Sequence, residues 1–265
     1  MMKISCSTSA FKGTLREALI EISGTGIKYT DLIAIGGWNH ILPPKLAEEW
    51  DKTASEVVGL LEETKLTASA INFAVAHPYI REEEKVQQRK KECDAVARLM
   101  KHLGAKAGSF YPGYKNEEMS RREIMDNTLA SLHEMYEIAG KYGVTFLIEP
   151  HFDTPFQTLA QVNELLTEMP ELSVAYDPSH FAMQGIDLRS TEKILERAVH
   201  VHMRDAGPAK MQMPLGQGTV DFKWMVDALK ARNYDGFLSI EYLPGLKDGV
   251  VEEIVKTRKL LESLL

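Results

Sequence analysis

The sequence is poor in the residues and patterns that mark several common protein classes. It has 2 cysteines in 265 residues, Cys6 and Cys93, which are too few for a disulfide framework. No run of apolar residues approaches the length of a membrane-spanning helix. The first residues, MMKISCSTSAFKG, contain no apolar stretch of the kind found in signal peptides, so we expect a cytoplasmic protein.

Excess positive charge is also missing. The 31 Lys and Arg residues are outnumbered by 38 Asp and Glu residues, which gives a formal net charge of −7 at pH 7. Binding to nucleic acid or to an anionic membrane needs concentrated Lys and Arg. We therefore expect neither kind of partner.

Short β-rich runs alternate along the whole chain with longer segments of helical period. The sequence predicts eight strands, which begin near Met2, Asp31, Ala68, Ala105, Val144, Leu172, Val199 and Gly236. Helices are clearest from Arg81 to Leu103 and from Glu117 to Tyr142, and each is followed by a glycine, as is typical of a helix C-terminus.

This alternation predicts an α/β protein, a (β/α)8 TIM barrel that forms a single domain over residues 1–265. An open, doubly wound parallel sheet is the structural alternative. The first predicted strand is not followed by the GxGxxG fingerprint that many such sheets carry. The length is ordinary for a closed barrel.

Polar residues end four consecutive strands in the second half of the chain. Glu149 ends the fifth predicted strand, Asp177 the sixth and Glu241 the eighth. The seventh, AVHVHMRDA, places His200, His202 and Arg204 on one face, because strand side chains alternate. In such barrels the C-terminal strand ends converge on one mouth, so these groups should meet there.

Three carboxylates in one mouth would repel each other unless a cation lay between them. Three oxygen ligands and one imidazole suit Mn²⁺ or Mg²⁺, with Co²⁺ or Zn²⁺ also possible. The site would therefore hold one divalent metal ion. Taken one at a time, each carboxylate could instead be a helix cap or an ion-pair partner, and His200 or His202 a satisfied interior histidine.

Several motifs in this half resemble those of a known group of enzymes. They are YGVTFLIEPH, VAYDPSH, VHVHMRDA, PLGQGTVDF and GFLSIEY, in that order, together with AVARLMKHLGAKAGSFYPG further upstream. They are similar to the sugar-phosphate isomerase/epimerase superfamily, the xylose-isomerase-like TIM barrels shared by ketose 3-epimerases, hydroxypyruvate isomerase, inosose-processing enzymes and endonuclease IV.

The resemblance implies a role for each of several residues. It implies that the metal ligands are Glu149, Asp177, His202 and Glu241. It also implies that His180, Arg204 and His77 line the substrate pocket. From the residues alone, Trp38 could stack on a sugar or merely cap the barrel rim, and His151 could assist unless Pro150 turns it away.

At several positions the sequence departs from the motifs of particular family members, and these departures argue against two of the family's activities. Tyr111 stands where the endonucleases carry a zinc-binding histidine, and KMQMPLGQG lacks their Asp-x-His pair, which argues against DNA repair. Pro155 and Pro208 stand where ketose 3-epimerases usually carry Glu and Arg, so that narrower assignment does not follow.

These features predict a metal-dependent isomerase or epimerase of a small ketose, keto acid or cyclitol. Glu149 and Glu241 would act as acid and base through an enediolate. One alternative is a dehydratase of an inosose- or dehydroshikimate-type substrate, and another is a barrel that binds sugars without turnover. The exact substrate, its phosphorylation, the native metal and any homo-oligomer are left open by the sequence.

Overall fold

A closed barrel of eight parallel strands forms the centre of the protein in the computed structural model, which describes residues 1–38, 40–246 and 249–265. In barrel order the strands are β1, β10, β7, β6, β5, β4, β3 and β2. Their bounds are β1 Lys3–Ser7, β2 Tyr29–Ala34, β3 Thr67–Phe73, β4 Ala107–Phe110, β5 Thr145–Ile148, β6 Val174–Tyr176, β7 Ala198–Met203 and β10 Phe237–Ile240. The predicted (β/α)8 barrel is confirmed, and each strand begins within two residues of its predicted start.

A small hairpin, β8 Asp205–Gly207 and β9 Lys210–Met213, follows β7 at the same end of the barrel as the polar strand ends. The helices are α1 Leu15–Gly24, α2 Pro43–Glu48, α3 Trp50–Thr64, α4 Glu83–Leu103, α5 Arg121–Tyr142, α6 Leu159–Glu168, α7 Ser179–Ala182, α8 Glu192–Leu195, α9 Phe222–Ala231 and α10 Val250–Leu264. Among them, no helix in the described ranges is both long enough and apolar enough to cross a bilayer.

The two long helices end as predicted and begin later than predicted. Gly104 and Gly143 follow them with φ values of 75° and 67°, a left-handed conformation that glycine adopts without steric cost. Helix α5 begins at Arg121 because the side chain of Ser120 accepts a hydrogen bond from the amide of Glu123 and caps it. A capping serine thus decides a boundary that hydrophobic periodicity placed at Glu117.

Apolar packing divides into an outer and an inner part. The large core joins strand residues such as Phe73 and Phe146, whose ring centroids are 4.8 Å apart, to the inward faces of the helices. Inside the barrel a small separate cluster contains Ala70, Ala107, Leu147 and Ala175. These side chains are mostly small, so the upper barrel interior has room for buried polar side chains. Both cysteines are free and buried.

Candidate active site

Four side chains of metal-ligand type meet at the C-terminal ends of neighbouring strands. Glu149 follows β5, Asp177 follows β6, His202 lies in β7 and Glu241 follows β10. Each offers one ligand atom, these atoms all lie within 4.8 Å of one another, and all four residues are buried. The backbone amides of Glu149 and Glu241 donate to Phe110 and Met203 on adjacent strands, so the sheet holds both glutamates in place.

One imidazole nitrogen faces both glutamates. Nδ1 of His202 lies 2.8 Å from Oε1 of Glu149 and 3.1 Å from Oε2 of Glu241. Although burial lowers the pKa of His202, Glu241 and Glu149 raise it well above its ordinary value, so the carboxylates hold a proton on this nitrogen. Burial also raises the pKa of Glu241 to about 8, despite the nearby His202. A divalent cation can take the place of that proton and offset the crowded negative charge, so the donor set fits a metal ion.

The other nitrogen of His202 is held by a residue that the sequence analysis did not identify. Oδ2 of Asp31, on β2, accepts hydrogen bonds from Nε2 of His202 at 3.2 Å, Nε2 of His200 at 2.8 Å and Oγ of Ser239 at 3.3 Å. A carboxylate only accepts, so Nε2 of His202 carries a proton and Nδ1 is directed at the glutamates. Metal-binding histidines commonly donate their second N–H to a carboxylate in this way.

Asp31 remains ionised in this interior position. Burial by itself would raise its pKa, but the charges and hydrogen bonds of His200 and His202 hold the pKa well below its ordinary range. His200 lies in the barrel interior, where its Nε2 donates to Asp31, and with Asp31 and His202 it forms a second buried group of side chains of metal-ligand type. The sequence signal for Asp31 was a charged residue inside an otherwise apolar strand, DLIAIGG.

Asp177 and Arg204 form a tight buried pair. Nη2 of Arg204 lies 2.6 Å from Oδ2 of Asp177, and its Nε donates to Oγ of Ser179 at 2.8 Å. Nη1 of the same guanidinium donates to the backbone carbonyl of Glu241 at 3.2 Å. Much of the donor capacity of Arg204 is thus used in positioning Asp177 and the strand end of Glu241.

Two histidines lie side by side next to the glutamates. The rings of His151 and His180 have centroids 3.7 Å apart, so Pro150 does not turn His151 away. Nε2 of His180 is 3.9 Å from Oε1 of Glu149, and its Nδ1 has no hydrogen-bond partner among the described residues. Burial lowers the pKa of both rings, and the neighbouring His151 lowers the pKa of His180 further, so both are neutral near pH 7.

A cavity of about 430 Å³ opens above these groups. All five residues predicted to contact substrate line it, together with Glu149 and Glu241; they are His180, Arg204, His77, Trp38 and His151. The indole Nε1 of Trp38 donates to the carbonyl of Ser9 at 3.1 Å, which fixes the ring at the rim. Within the described ranges, Arg204 is the one Lys or Arg that lines the cavity.

Several lining residues were not identified as pocket residues from the sequence. Asn72, in β3, donates from Nδ2 to Oε1 of Glu241 at 3.3 Å. Tyr111 and Tyr114 come from the loop after β4, and Met211 comes from β9. Asn72 lies within β3 and not after it, so a search for polar residues directly after strands does not find it. The loop residues carry no comparable sequence signal.

Known proteins of related sequence include enzymes and an uncharacterized protein. The chain is 26% identical to an uncharacterized protein of Methanocaldococcus jannaschii over an alignment of 284 residues, which covers 100% of this chain and 89% of that one. It is 30% identical to an inosose dehydratase of Halalkalibacterium halodurans over 131 residues, 42% of this chain and 43% of that enzyme. The second alignment thus spans less than half of the enzyme.

Solved structures share the fold at low sequence identity. A D-tagatose 3-epimerase-like protein superposes with a TM-score of 0.78 at 20% identity, covering 99% of this chain and 97% of that one. The IolI protein, solved with a bound zinc atom, superposes with a TM-score of 0.75 at 19% identity, covering 99% and 98%. Residues 23–261 match the family model described as xylose isomerase-like TIM barrel. The chain belongs to this xylose isomerase-like TIM barrel family.

Proposed function

We propose that the protein is a divalent-metal-dependent isomerase or epimerase of a small ketose, keto acid or cyclitol. The observation that carries the proposal is the pair of buried glutamates, Glu149 and Glu241, which face one nitrogen of His202 at the floor of the cavity. Two carboxylates fixed on either side of a reaction centre are suited to removing and returning a proton. We also propose a cytoplasmic location and a small-molecule partner.

Glu149, Asp177, His202 and Glu241 would hold the metal ion. Their three carboxylates and one imidazole favour Mn²⁺ or Mg²⁺ and also admit Co²⁺ or Zn²⁺. When bound, the ion supplies Lewis-acid polarisation of the carbonyl and hydroxyl oxygens of a substrate.

The chain's own residues would transfer the proton. Strands β5 and β10 are separated in the barrel by β6 and β7, so Glu149 and Glu241 enter the floor from different sides. One glutamate, ionised, would remove the proton next to the carbonyl, and the other, protonated, would deliver its own proton to the same carbon, in epimerisation, or to its neighbour, in isomerisation; proton exchange with solvent then restores both groups. General acid–base catalysis of this kind contributes about 10²–10⁴-fold to the rate.

The remaining lining residues would orient the substrate. The free Nδ1 of His180 and the ring of His151 lie beside the glutamates, where they can meet hydroxyl groups. Asn72 holds Oε1 of Glu241, and Arg204 fixes Asp177. His77 and Trp38 lie on the cavity wall and would contact the part of the substrate that does not react.

A dehydratase is the second candidate, and the similarity to inosose dehydratases favours it. Such an enzyme would form the same enolate and then release a hydroxyl from the next carbon. One glutamate would remove the proton next to the carbonyl, the other, in its protonated form, would give a proton to the leaving hydroxyl so that water departs, and the neutral rings of His151 and His180 could orient that hydroxyl.

Proton NMR in D₂O tests both candidates. The protein, loaded with Mn²⁺, Mg²⁺, Co²⁺ or Zn²⁺ in separate samples, is incubated with ketoses, inososes and keto acids. Solvent deuterium at the carbon next to the carbonyl, without loss of water, supports isomerase or epimerase action. A new enone absorbance supports the dehydratase. Equal exchange by the wild-type protein and by Glu241→Gln on a confirmed substrate would refute the role given to Glu241, and tight binding without any exchange would indicate a sugar-binding barrel.

A further inference from the structure

A continuous series of aromatic rings runs from the glutamates to the mouth of the cavity. From His180, ring centroids follow one another at 3.7 Å to His151, 5.0 Å to Tyr111 and 5.2 Å to Tyr114, and His77 lies 5.5 Å from Tyr114. We call His151, Tyr111, Tyr114 and His77 the aromatic wall. Tyr114 is 62% exposed, so the wall reaches solvent well beyond the residues that would handle a proton.

Two of the three loops that carry the wall, the loop after β3 and the loop after β4, lie directly against each other. Gly113, between the two tyrosines, has a φ of +96°, and a Cβ there would lie 2.7 Å from Cγ of His77. Only glycine allows this approach at this backbone conformation. The loop after β4 therefore rests directly on the imidazole of His77.

The buried side chain of an arginine holds the loop that carries His77 in place. Nη1 of Arg89, on α4, donates to the carbonyls of His77 at 3.0 Å and Ile80 at 3.1 Å, and its Nη2 donates to Oγ of Ser131 at 2.7 Å. The side chain of Arg89 is 1% exposed. The wall is thus held in place without a ligand, and such preorganisation reduces the entropy cost of binding.

The chemistry of the wall suits an uncharged ring. Aromatic faces offer apolar contact, and tyrosine and histidine add polar edges to it. Tyr111 and Tyr114 both line the cavity, and each carries a hydroxyl that can donate to or accept from ligand hydroxyls. Arg204 is the one Lys or Arg that lines the described part of the cavity, and it is already paired with Asp177. The cavity wall therefore offers little to a negatively charged group on the ligand.

We propose that the aromatic wall is a subsite for a second, uncharged ring joined to the sugar or cyclitol at the floor, so that the preferred substrates are glycosides. The proposal depends on the proposed function in one respect: the part of the substrate that carries the reacting carbonyl occupies the floor of the cavity, next to Glu149 and Glu241. The second ring would stack on Tyr111 and Tyr114 through its C–H face or, for an aryl group, its ring face.

Calorimetric titration with glycosides that carry no carbonyl tests the subsite without turnover. The probes are methyl and phenyl D-glucopyranosides, each as the α and the β anomer, added to the wild-type protein, Tyr114→Ala and Phe152→Ala. Phe152 is an exposed aromatic residue near the mouth that does not line the cavity, so it is the matched control. Thermal unfolding of both variants confirms that they fold.

For at least one anomer, we expect the phenyl glycoside to bind the wild-type protein about tenfold more tightly than the methyl glycoside, as an aromatic contact of ordinary strength would give. Tyr114→Ala should abolish most of this preference, and Phe152→Ala should preserve it. Equal affinities for the two glycosides, a preference that survives Tyr114→Ala, or no binding of any probe would overturn the proposal.

The result is separable from the proposed function. Exchange of deuterium into a free ketose, combined with no phenyl preference, would support the chemistry at the floor and reject the subsite. A phenyl preference that depends on Tyr114, combined with no exchange on any carbonyl compound, would support the subsite and reject the isomerase or epimerase.

Discussion

Asp31→Asn should weaken metal binding without touching any of the four residues that would hold the ion. Asp31 lies outside that group and reaches it only through Nε2 of His202, at 3.2 Å. The carboxylate fixes the tautomer of His202 and increases the basicity of its Nδ1. Asparagine has nearly the same shape but carries no charge.

The magnitude follows from what asparagine retains. Loss of an outer partner of a metal-binding histidine typically costs about 10–100-fold in affinity, or about 1.4–2.7 kcal/mol. The substituted side chain could still place one carbonyl oxygen where Oδ2 of Asp31 accepts from His200, His202 and Ser239, but bonds to a neutral acceptor are roughly half as strong as those to a charged one. Because one hydrogen bond to His202 can persist, we expect a loss of about tenfold.

Competition with a chromophoric chelator at fixed pH measures the dissociation constants for Mn²⁺, Co²⁺ and Zn²⁺. Ser239→Ala is the matched control, because it removes the hydroxyl that donates to the same oxygen of Asp31 and leaves the charge and both histidine contacts in place. Thermal unfolding in excess chelator shows whether each metal-free variant is folded. Metal affinity of a folded Asp31→Asn equal to that of the wild-type protein, or equal losses in the two variants, would refute the orienting role of Asp31.

Three further predictions concern the floor and the wall of the cavity. Glu241→Gln should lower the rate of solvent exchange on a confirmed substrate by about 100-fold or more, measured by NMR, since it removes one of the two proton-transfer groups; an unchanged rate speaks against the assignment. Removing metal with a chelator should lower the melting temperature, and restoring free metal at 100 times its dissociation constant should regain about 2.7 kcal/mol of stability, measured by calorimetry; a melting temperature insensitive to metal would contradict the site. Gly113→Ala should destabilise the protein by about 1–3 kcal/mol in denaturant unfolding, because Gly113 has a positive φ and a Cβ there would contact His77. The control is Gly59→Ala, inside α3 with open space around it, which should stabilise the protein by about 0.5–1 kcal/mol. Similar effects of the two substitutions would contradict the close packing of the loops.

The barrel was predictable because its signals are local. Each strand is a short β-rich run and each helix repeats with its own period, so the alternation is visible without knowing any contact. The errors are local as well. Helix α5 begins at Arg121 and not near Glu117, because a single hydrogen bond from the amide of Glu123 to Ser120 decides where the helix starts.

The candidate site was only partly predictable. Glu149, Asp177 and Glu241 stand directly after strands, where a polar residue following an apolar run is conspicuous. Asp31 and Asn72 lie in β2 and β3, within strands rather than after them, and they reach His202 and Glu241 from across the barrel. A residue's distance along the chain gives no sign of such contacts.

The sequence by itself determined the alternation of strands and helices, the strand ends that carry ligand-type groups and the excess of negative charge. Closure of the barrel decided the rest, because it sets residues separated by 169 and 171 positions, such as Asp31 with His200 and His202, at hydrogen-bond distance. Tertiary packing also assembled the aromatic wall from three loops, two of which lie in close contact because Gly113 allows the loop after β4 to approach His77. Periodicity specifies which face of an element is buried, but which elements meet across a cavity depends on how the whole sheet closes.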